Sequence, residues 1–144
     1  MLQMLTINFP FPVSANQYWQ IHGKRLIKSK KARAYISSVT YTWLVAKSNG
    51  MKSFGKDATL ALSIAAHYPV RCGPDSDLDN NIKVLVDAME TAGVFHNDNQ
   101  FRHVQISREK AKDRVGMVRV NIKECPNELD VHDGTFIVKG VHDG

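Results

Sequence analysis

The sequence has few of the features that would mark many common protein classes. Its 144 residues include only two cysteines, Cys72 and Cys125. Two cysteines make no disulfide framework, and without paired histidines they make no zinc site, so we expect two reduced thiols. No run of eighteen apolar residues occurs, which excludes a membrane-spanning helix. The N-terminus lacks the features of a signal peptide, so we expect a cytoplasmic protein.

Two common catalytic motifs are also missing. The chain has no glycine-rich phosphate loop of the Walker or dinucleotide-binding kind, and no G-x-S-x-G motif. These absences argue against mononucleotide- and dinucleotide-binding folds and against α/β-hydrolase chemistry. We therefore expect no small-molecule organic cofactor.

Acidic residues are absent from the first 56 positions, which hold nine Lys and Arg. Residues 57–98 hold seven acids and two bases, residues 99–123 hold two acids and seven bases, and residues 124–144 hold five acids and one base. An acidic segment between two basic segments suits a metal-dependent nuclease, because bases bind phosphates and acids bind the metal. The alternative is that surface charge merely varies along the chain, since net charge says nothing about the fold.

Apolar periodicity predicts the order β, α, β, α, β, β, a small α/β (α+β) domain with two main helices on a mixed β-sheet. We expect residues 1–125 to form this domain and the acidic residues 126–144 to be a peripheral extension. Residues 13–19 are predicted to be a loop with two exposed aromatic residues, and residues 23–28 to be basic and irregular. The predicted strands are Leu2–Phe9, Ala58–Tyr68, His103–Glu109 and Val115–Ile122, the last two paired as a hairpin, and the predicted helices run from Ser29 to about Lys47 and from Asp77–Asp79 to Gly93.

Three carboxylates at alternate positions, those of Asp75, Asp77 and Asp79, precede Lys83 at the start of the second helix. A helix cap explains one aspartate. Three crowded carboxylates repel one another unless a divalent cation with oxygen ligands, such as Mg²⁺, lies among them. Lys83 lies one turn after Asp79, where it either forms a weak ion pair or stands beside the metal. Spacing leaves open whether Asp98, in a turn after the helix, joins this group.

A long ordered series of motifs then resembles one known family. The series is Asp77-Leu78-Asp79-Asn80, Lys83, Asp87-Ala88-Met89, Ala92-Gly93-Val94-Phe95 and Asp98-Asn99-Gln100, together with Pro10–Asn16 after the first strand. It resembles the RusA family of Holliday-junction resolvases, endonucleases of bacteria and their prophages. The resemblance covers about residues 5–123.

The resemblance implies a Mg²⁺-dependent nuclease, with Mn²⁺ as a possible substitute, that acts as a homodimer in recombination and repair. It would resolve four-way DNA junctions by paired symmetric nicks. Asp77, Asp79 and Asp98 match the metal-binding aspartates, and Lys83 matches the essential lysine. Lys83 would stabilise charge on the phosphate or help to deprotonate the attacking water, and both roles stay open.

The chain departs from the family pattern at two positions. Ser76 stands where the best-known member has an arginine, and Asn97 replaces a second acid beside Asp98. The change at Ser76 bears on junction affinity or selectivity more than on catalysis, because all three predicted metal ligands are present.

The acid-free segment supplies candidates for DNA contact. Tyr18 and Trp19 would stack on an unpaired base, or else belong to the core or a dimer contact. The predicted phosphate-binding residues, each of which could instead be part of a solvated face, are Lys24, Arg25, Lys28, Lys30, Lys31 and Arg33. Two other functions stay open: a metal-dependent nuclease acting on forks, flaps or single strands, and a non-catalytic basic DNA-binding module whose aspartates only cap a helix.

Overall fold

The structure, a computed structural model, describes residues 2–70, 78–110 and 113–126. Residues 127–144, with the predicted extension, lie outside this part of the chain. The elements in chain order are β1 (Met4–Pro10), α1 (Ala15–Tyr18), β2 (Trp19–His22), β3 (Arg25–Lys28), α2 (Lys30–Ser48), β4 (Thr59–His67), α3 (Leu78–Ala92), a 3-10 turn (Asp98–Gln100), β5 (Phe101–Glu109) and β6 (Met117–Cys125). The predicted fold class, two main helices with a mixed sheet, is confirmed.

Strand β4 lies at the centre of the main sheet, whose strand order is β1-β6-β4-β5. It pairs antiparallel with β6 and parallel with β5. A parallel pair needs a crossover connection, and α3 lies in the connection between β4 and β5. The predicted hairpin of the last two strands is therefore wrong, because both strands pair with β4 instead.

The burial of the strands explains why β5 pairs with β4 rather than with β6. β4 is buried along most of its length, which suits a strand with neighbours on both sides. In β5, Val104 and Arg108 are exposed although they lie on the side of the sheet that faces the core. Such exposure is typical of a strand at the edge of a sheet. The two strands adjacent in sequence are thus separated by the most apolar strand of the sheet.

Helix α2 forms as its sequence predicts. The hydroxyl of Ser29 accepts a hydrogen bond from the backbone N–H of Ala32 at 3.1 Å, which caps the first turn. Its buried face includes Tyr35, Val39 and Trp43. This face packs against the apolar side of the sheet and against α3 in one core.

Helix α3 packs one face into the same core and turns the other outward. Leu85, Ala88 and Met89 are fully buried, which fixes the rotation of the helix. The helix ends at Ala92 and is followed by Gly93, whose φ of +91° favours glycine. The backbone N–H groups of Gly93 and Val94 donate to Met89 O, and the chain then turns back towards the 3-10 turn.

Cys125 is buried, and Cys72 lies outside the described residues. Within the described residues, no helix is both long and apolar enough to cross a membrane.

Candidate active site

The start of α3 places position 79 one helical turn before Lys83. The helix begins at Leu78, as predicted, so position 79 lies in its first turn and Asp77 immediately precedes it, outside the described residues. Positions 79, 83 and 87 are each one helical turn apart and lie on the same face of the helix. Lys83 is exposed on this outward face. The order of charges along the helix is therefore acid, base, acid.

An open cleft of about 450 Å³ runs along this face of α3. Its charged lining residues are Lys83, Asp87, Glu90 and Asp98, and Tyr18 and Trp19 contribute apolar surface. The fold thus brings Lys83 and Asp98 to one cleft, although they are fifteen residues apart. Glu90 was not among the predicted site residues.

The 3-10 turn holds Asp98 beside the second half of α3. The backbone N–H of Asp98 donates to Glu90 Oε1 at 2.9 Å. Glu90 lies eleven residues after Asp79, about 16 Å along a helix that rises 1.5 Å per residue. The grouping of Asp98 with Asp77 and Asp79 stays a prediction, because Asp77 lies outside the described residues.

The carboxylates of the cleft do not form a metal site by themselves. Across residues 2–70, 78–110 and 113–126, no three His, Cys, Asp or Glu side chains are grouped as in a metal site. The donors that the cleft does offer are carboxylate oxygens, which suit a hard cation such as Mg²⁺. A metal site here would therefore need donors in addition to the described carboxylates, and Asp77 and Asp79 stay the predicted candidates.

Gln100 holds the turn that carries Asp98. Its side-chain Oε1 accepts hydrogen bonds from the backbone N–H groups of His96 and Asn97, both at 2.9 Å. Its Nε2 donates to Gly55 O at 2.8 Å and to Ala58 O at 3.0 Å. All four bonds of a buried amide are made, so the turn is fixed to the segment before β4. The role of Gln100 was missed, although Asn97 followed three residues later by Gln is a capping-box signal.

Gln100→Ala is expected to destabilise the fold by about 2 kcal/mol or more, because four backbone groups lose the hydrogen-bond partner that ties the turn to the segment before β4. Cleavage should fall further than the unfolded fraction explains, since Asp98 loses its support. Urea denaturation and a cleavage assay on the same samples measure both effects. Asn99→Ala, in the same turn but exposed, is the control and should change stability by less than about 0.5 kcal/mol. An unchanged urea midpoint for Gln100→Ala would contradict this account of the turn.

A second link joins α3 to the aromatic segment at residues 18 and 19. The Tyr18 hydroxyl donates a hydrogen bond to the carboxylate of Asp87, and Lys28 Nζ lies 3.2 Å from the same carboxylate. Burial raises the pKa of Tyr18 above its ordinary value, and Asp87 raises it further, so the phenol stays protonated and donates. Asp87 therefore anchors two residues, Tyr18 and Lys28.

The prediction of a loop at residues 13–19 and of irregular chain at residues 23–28 is wrong in part. This segment contains α1 and a hairpin of β2 and β3, paired antiparallel from Trp19 with Lys28 to His22 with Arg25. Tyr18 is buried rather than exposed, whereas Trp19 is exposed as predicted. The hairpin was missed because its strands are four residues long and mostly exposed, so they lack the alternating burial that marks a strand.

The predicted phosphate-binding residues lie on this hairpin and on the first turn of α2. Lys24 and Arg25 are exposed, while Lys28 is committed to the ion pair with Asp87. The guanidinium of Arg33 donates to Lys28 O at 2.8 Å and remains exposed. Lys30 and Lys31 are exposed at the start of α2. All six belong to one continuous segment that adjoins the cleft through Trp19 and Lys28.

Comparison with known proteins places the chain in a family. The family model described as Endodeoxyribonuclease RusA matches residues 10–123. The crossover junction endodeoxyribonuclease RusA of Escherichia coli O139:H28 (strain E24377A / ETEC) is 32% identical over 126 residues, which is 85% of this chain and 97% of the relative. That of Shigella sonnei (strain Ss046) is 31% identical over the same shares, and that of Enterobacteria phage HK97 is 30% identical over 102 residues, 69% of this chain and 78% of the relative. The resemblance found in the sequence is confirmed, and the chain belongs to the RusA family of endodeoxyribonucleases.

Proposed function

We propose that this protein resolves four-way DNA junctions by paired symmetric nicks in a divalent-metal-dependent reaction. The proposal is supported above all by the cleft on α3, which combines Lys83 and Asp98 beside a segment free of acidic residues. The matched relatives are named crossover junction endodeoxyribonucleases, and the chain covers nearly all of most of them. The activity named for those relatives fits a cleft that pairs carboxylates with a basic surface.

The distribution of bases on α2 also supports DNA binding. Lys30, Lys31 and Arg33 lie at or near the first turn of the helix, where no acid balances them. Positive charge at a helix N-terminus opposes the helix dipole and costs a few tenths of a kcal/mol per residue. A surface that contacts phosphates accounts for bases at positions where stability alone disfavours them.

Asp77, Asp79 and Asp98 are the proposed metal ligands, with Mg²⁺ as the expected metal and Mn²⁺ as a substitute. Once bound, a divalent cation supplies Lewis-acid chemistry, which makes a bound water more acidic and neutralises charge on phosphate oxygens. Carboxylates of this kind are typical ligands for both cations.

The chain's own residues account for the remaining steps. The Lys83 ammonium projects from the exposed face of α3 and would stabilise negative charge on the phosphate as the nucleophile adds. Lys24 and Arg25 would hold flanking phosphates and set the register of the DNA. Tyr18 and Lys28 hold Asp87, so the hairpin and the helix keep a fixed relative position while DNA is bound.

We further propose that the active form is a homodimer. Two symmetric nicks in a two-fold junction call for two active sites related by a two-fold axis. The molecular mass in solution, measured by light scattering with and without a junction, tests this proposal. A monomer that makes both nicks in one binding event would contradict it.

A panel of labelled substrates tests the function directly. Four-way junctions, forks, flaps, single strands and linear duplex are each incubated with the protein and Mg²⁺. We expect cleavage of the junction at symmetric positions and little cleavage of duplex. Equal cleavage of linear duplex would contradict junction selectivity, preferred cutting of forks or flaps would favour a different nuclease substrate, and binding without cleavage would favour a non-catalytic DNA-binding module.

We also propose that residues 1–125 form the nuclease domain and that residues 126–144 are peripheral. The last strand ends at Cys125 and the family match ends at residue 123, which supports this boundary. A chain that ends at Cys125 should show the same cleavage pattern as the 144-residue chain on the same panel. An inactive truncated chain would show that the extension completes the site or the dimer.

A further inference from the structure

The β2–β3 hairpin carries exposed apolar side chains that the proposed chemistry does not use. It forms a two-stranded sheet separate from the main sheet. Its turn consists of Gly23, with a φ of +67°, and Lys24, an arrangement typical of tight hairpins. Ile21 is 75% exposed and Leu26 is 62% exposed. Side chains of this size are seldom left in water together without a binding role.

The strand register gathers the apolar residues on one face. Ile21 pairs with Leu26, and Trp19 pairs with Lys28. Paired residues lie on the same side of a two-stranded sheet, and every second residue returns to that side. Trp19, Ile21 and Leu26 therefore form one apolar face, with Lys28 at its base.

This apolar face is on the same side of the hairpin as the cleft. Lys28 reaches Asp87 on α3 at 3.2 Å, and Trp19 lines the cleft with Lys83 and Asp98. The ring of Trp19 also packs edge-on against Tyr18, whose centroid lies 5.2 Å away. The hairpin is thus held against the helix at its base, while its apolar tip projects beyond the cleft.

The charge of the hairpin indicates what covers this face. Residues 19–28 contain three Lys and Arg and no acid. A two-fold contact between two such hairpins would bring like charges together, which disfavours a second copy as the occupant. DNA instead offers phosphates for Lys24 and Arg25 and the faces of unstacked bases for the apolar side chains. Apolar residues such as Ile and Leu are used in this way by proteins that kink or open DNA.

We propose that the β2–β3 hairpin is a wedge whose Ile21 and Leu26 side chains insert between bases at the centre of the junction. The insertion unstacks the pairs at the branch point and brings the adjacent strand to the cleft. This inference rests on the proposed function. It assigns Ile21 and Leu26 a role in positioning the DNA, distinct from the phosphate contacts of the basic residues.

The test is the double variant Ile21→Thr/Leu26→Thr, which places β-branched threonine, a good strand former, at both positions and removes most of the apolar surface. A junction with 2-aminopurine at the branch point reports unstacking as a rise in fluorescence, measured with Ca²⁺ in place of Mg²⁺ to slow cleavage. The native protein should raise the fluorescence, and the double variant should not. Cleavage of a fully paired junction should fall about tenfold or more in the variant, because opening then adds to the barrier.

A second substrate makes the result specific to the wedge. In a junction whose central pairs are mismatched, the bases are already unpaired, so the double variant should cut within about threefold of the native rate. Met4→Thr is the matched control, because Met4 is 66% exposed on the face of the main sheet that points away from the core. This variant should behave as the native protein on both substrates.

Three results would overturn the inference and leave the proposed function intact. These are a native fluorescence response in the double variant, an equal loss of cleavage on paired and mismatched junctions, and a change in molecular mass, which would place Ile21 and Leu26 between two copies. Failure of the native protein to cut any junction would instead contradict the proposed function.

Discussion

Replacing Asp79 by asparagine is expected to lower metal-dependent junction cleavage by about three orders of magnitude or more. Asparagine has the same size and still suits the first turn of α3, but it lacks the charge that a divalent cation needs from its ligand. Asp77→Asn should have the same effect. Binding of the junction without metal should persist or tighten, because a negative charge is removed close to phosphates.

The expected pattern separates a metal ligand from a helix cap. Loss of a capping charge alone costs about 0.3–1 kcal/mol of stability and leaves catalysis intact. Cleavage rates over a range of Mg²⁺ concentrations, gel-shift binding in EDTA and urea denaturation measure the three quantities separately. Asp57→Asn, an exposed carboxylate before β4, is the control and should cleave normally. Cleavage that survives either Asp77→Asn or Asp79→Asn would remove these residues from the metal site.

The sequence predicts the parts of this fold that depend on local chemistry. Ser29 has the side chain that caps a helix, and the apolar period after it identifies the buried face of α2. The start of α3 at Leu78 follows from the cluster of aspartates before it. In both helices, the signal lies within a few residues of the feature that it predicts.

Strand pairing is not a local property, and here the prediction from the sequence failed. β5 and β6 are neighbours in the chain, and a charged turn between them favours a hairpin. Their actual partner, β4, precedes both and is separated from them by α3. Burial of the most apolar strand at the centre of the sheet decides the order, and this gain depends on the whole core rather than on any one turn.

In the candidate site, too, the sequence predicts the features that depend on local spacing but not the contacts between distant segments. The sequence predicts Lys83 as a site residue because it lies one turn after Asp79 on the same helix. The proximity of Lys83 to Asp98 depends on the turn at Gly93 after α3 and on Gln100, whose side chain donates hydrogen bonds to Gly55 O and Ala58 O. The link from Asp87 to Tyr18 and Lys28 joins residues about sixty apart or more in the chain. Such contacts carry no periodic signal and become visible only in three dimensions.

Lys83→Ala is expected to reduce the rate of junction cleavage by about a hundredfold or more at saturating Mg²⁺, because a positive charge near the scissile phosphate is lost. The Mg²⁺ concentration for half-maximal cleavage should stay close to the native value, since an ammonium is not a metal ligand. Lys83→Arg keeps the charge but changes its shape and should retain part of the activity. Single-turnover cleavage with a labelled junction measures the rate apart from product release.

Stability measurements decide between a catalytic and a surface role for Lys83. Its side chain is exposed on α3, so the alanine variant should unfold within about 0.5 kcal/mol of the native protein. If Lys83 only forms an ion pair with Asp79, the alanine variant should show this small change in stability and still cleave at the native rate. Lys47→Ala, an exposed lysine in the last turn of α2, controls for the loss of one charge and should cleave normally. A normal rate for Lys83→Ala would make Lys83 a surface residue, and the metal ion would then have to stabilise the phosphate without it.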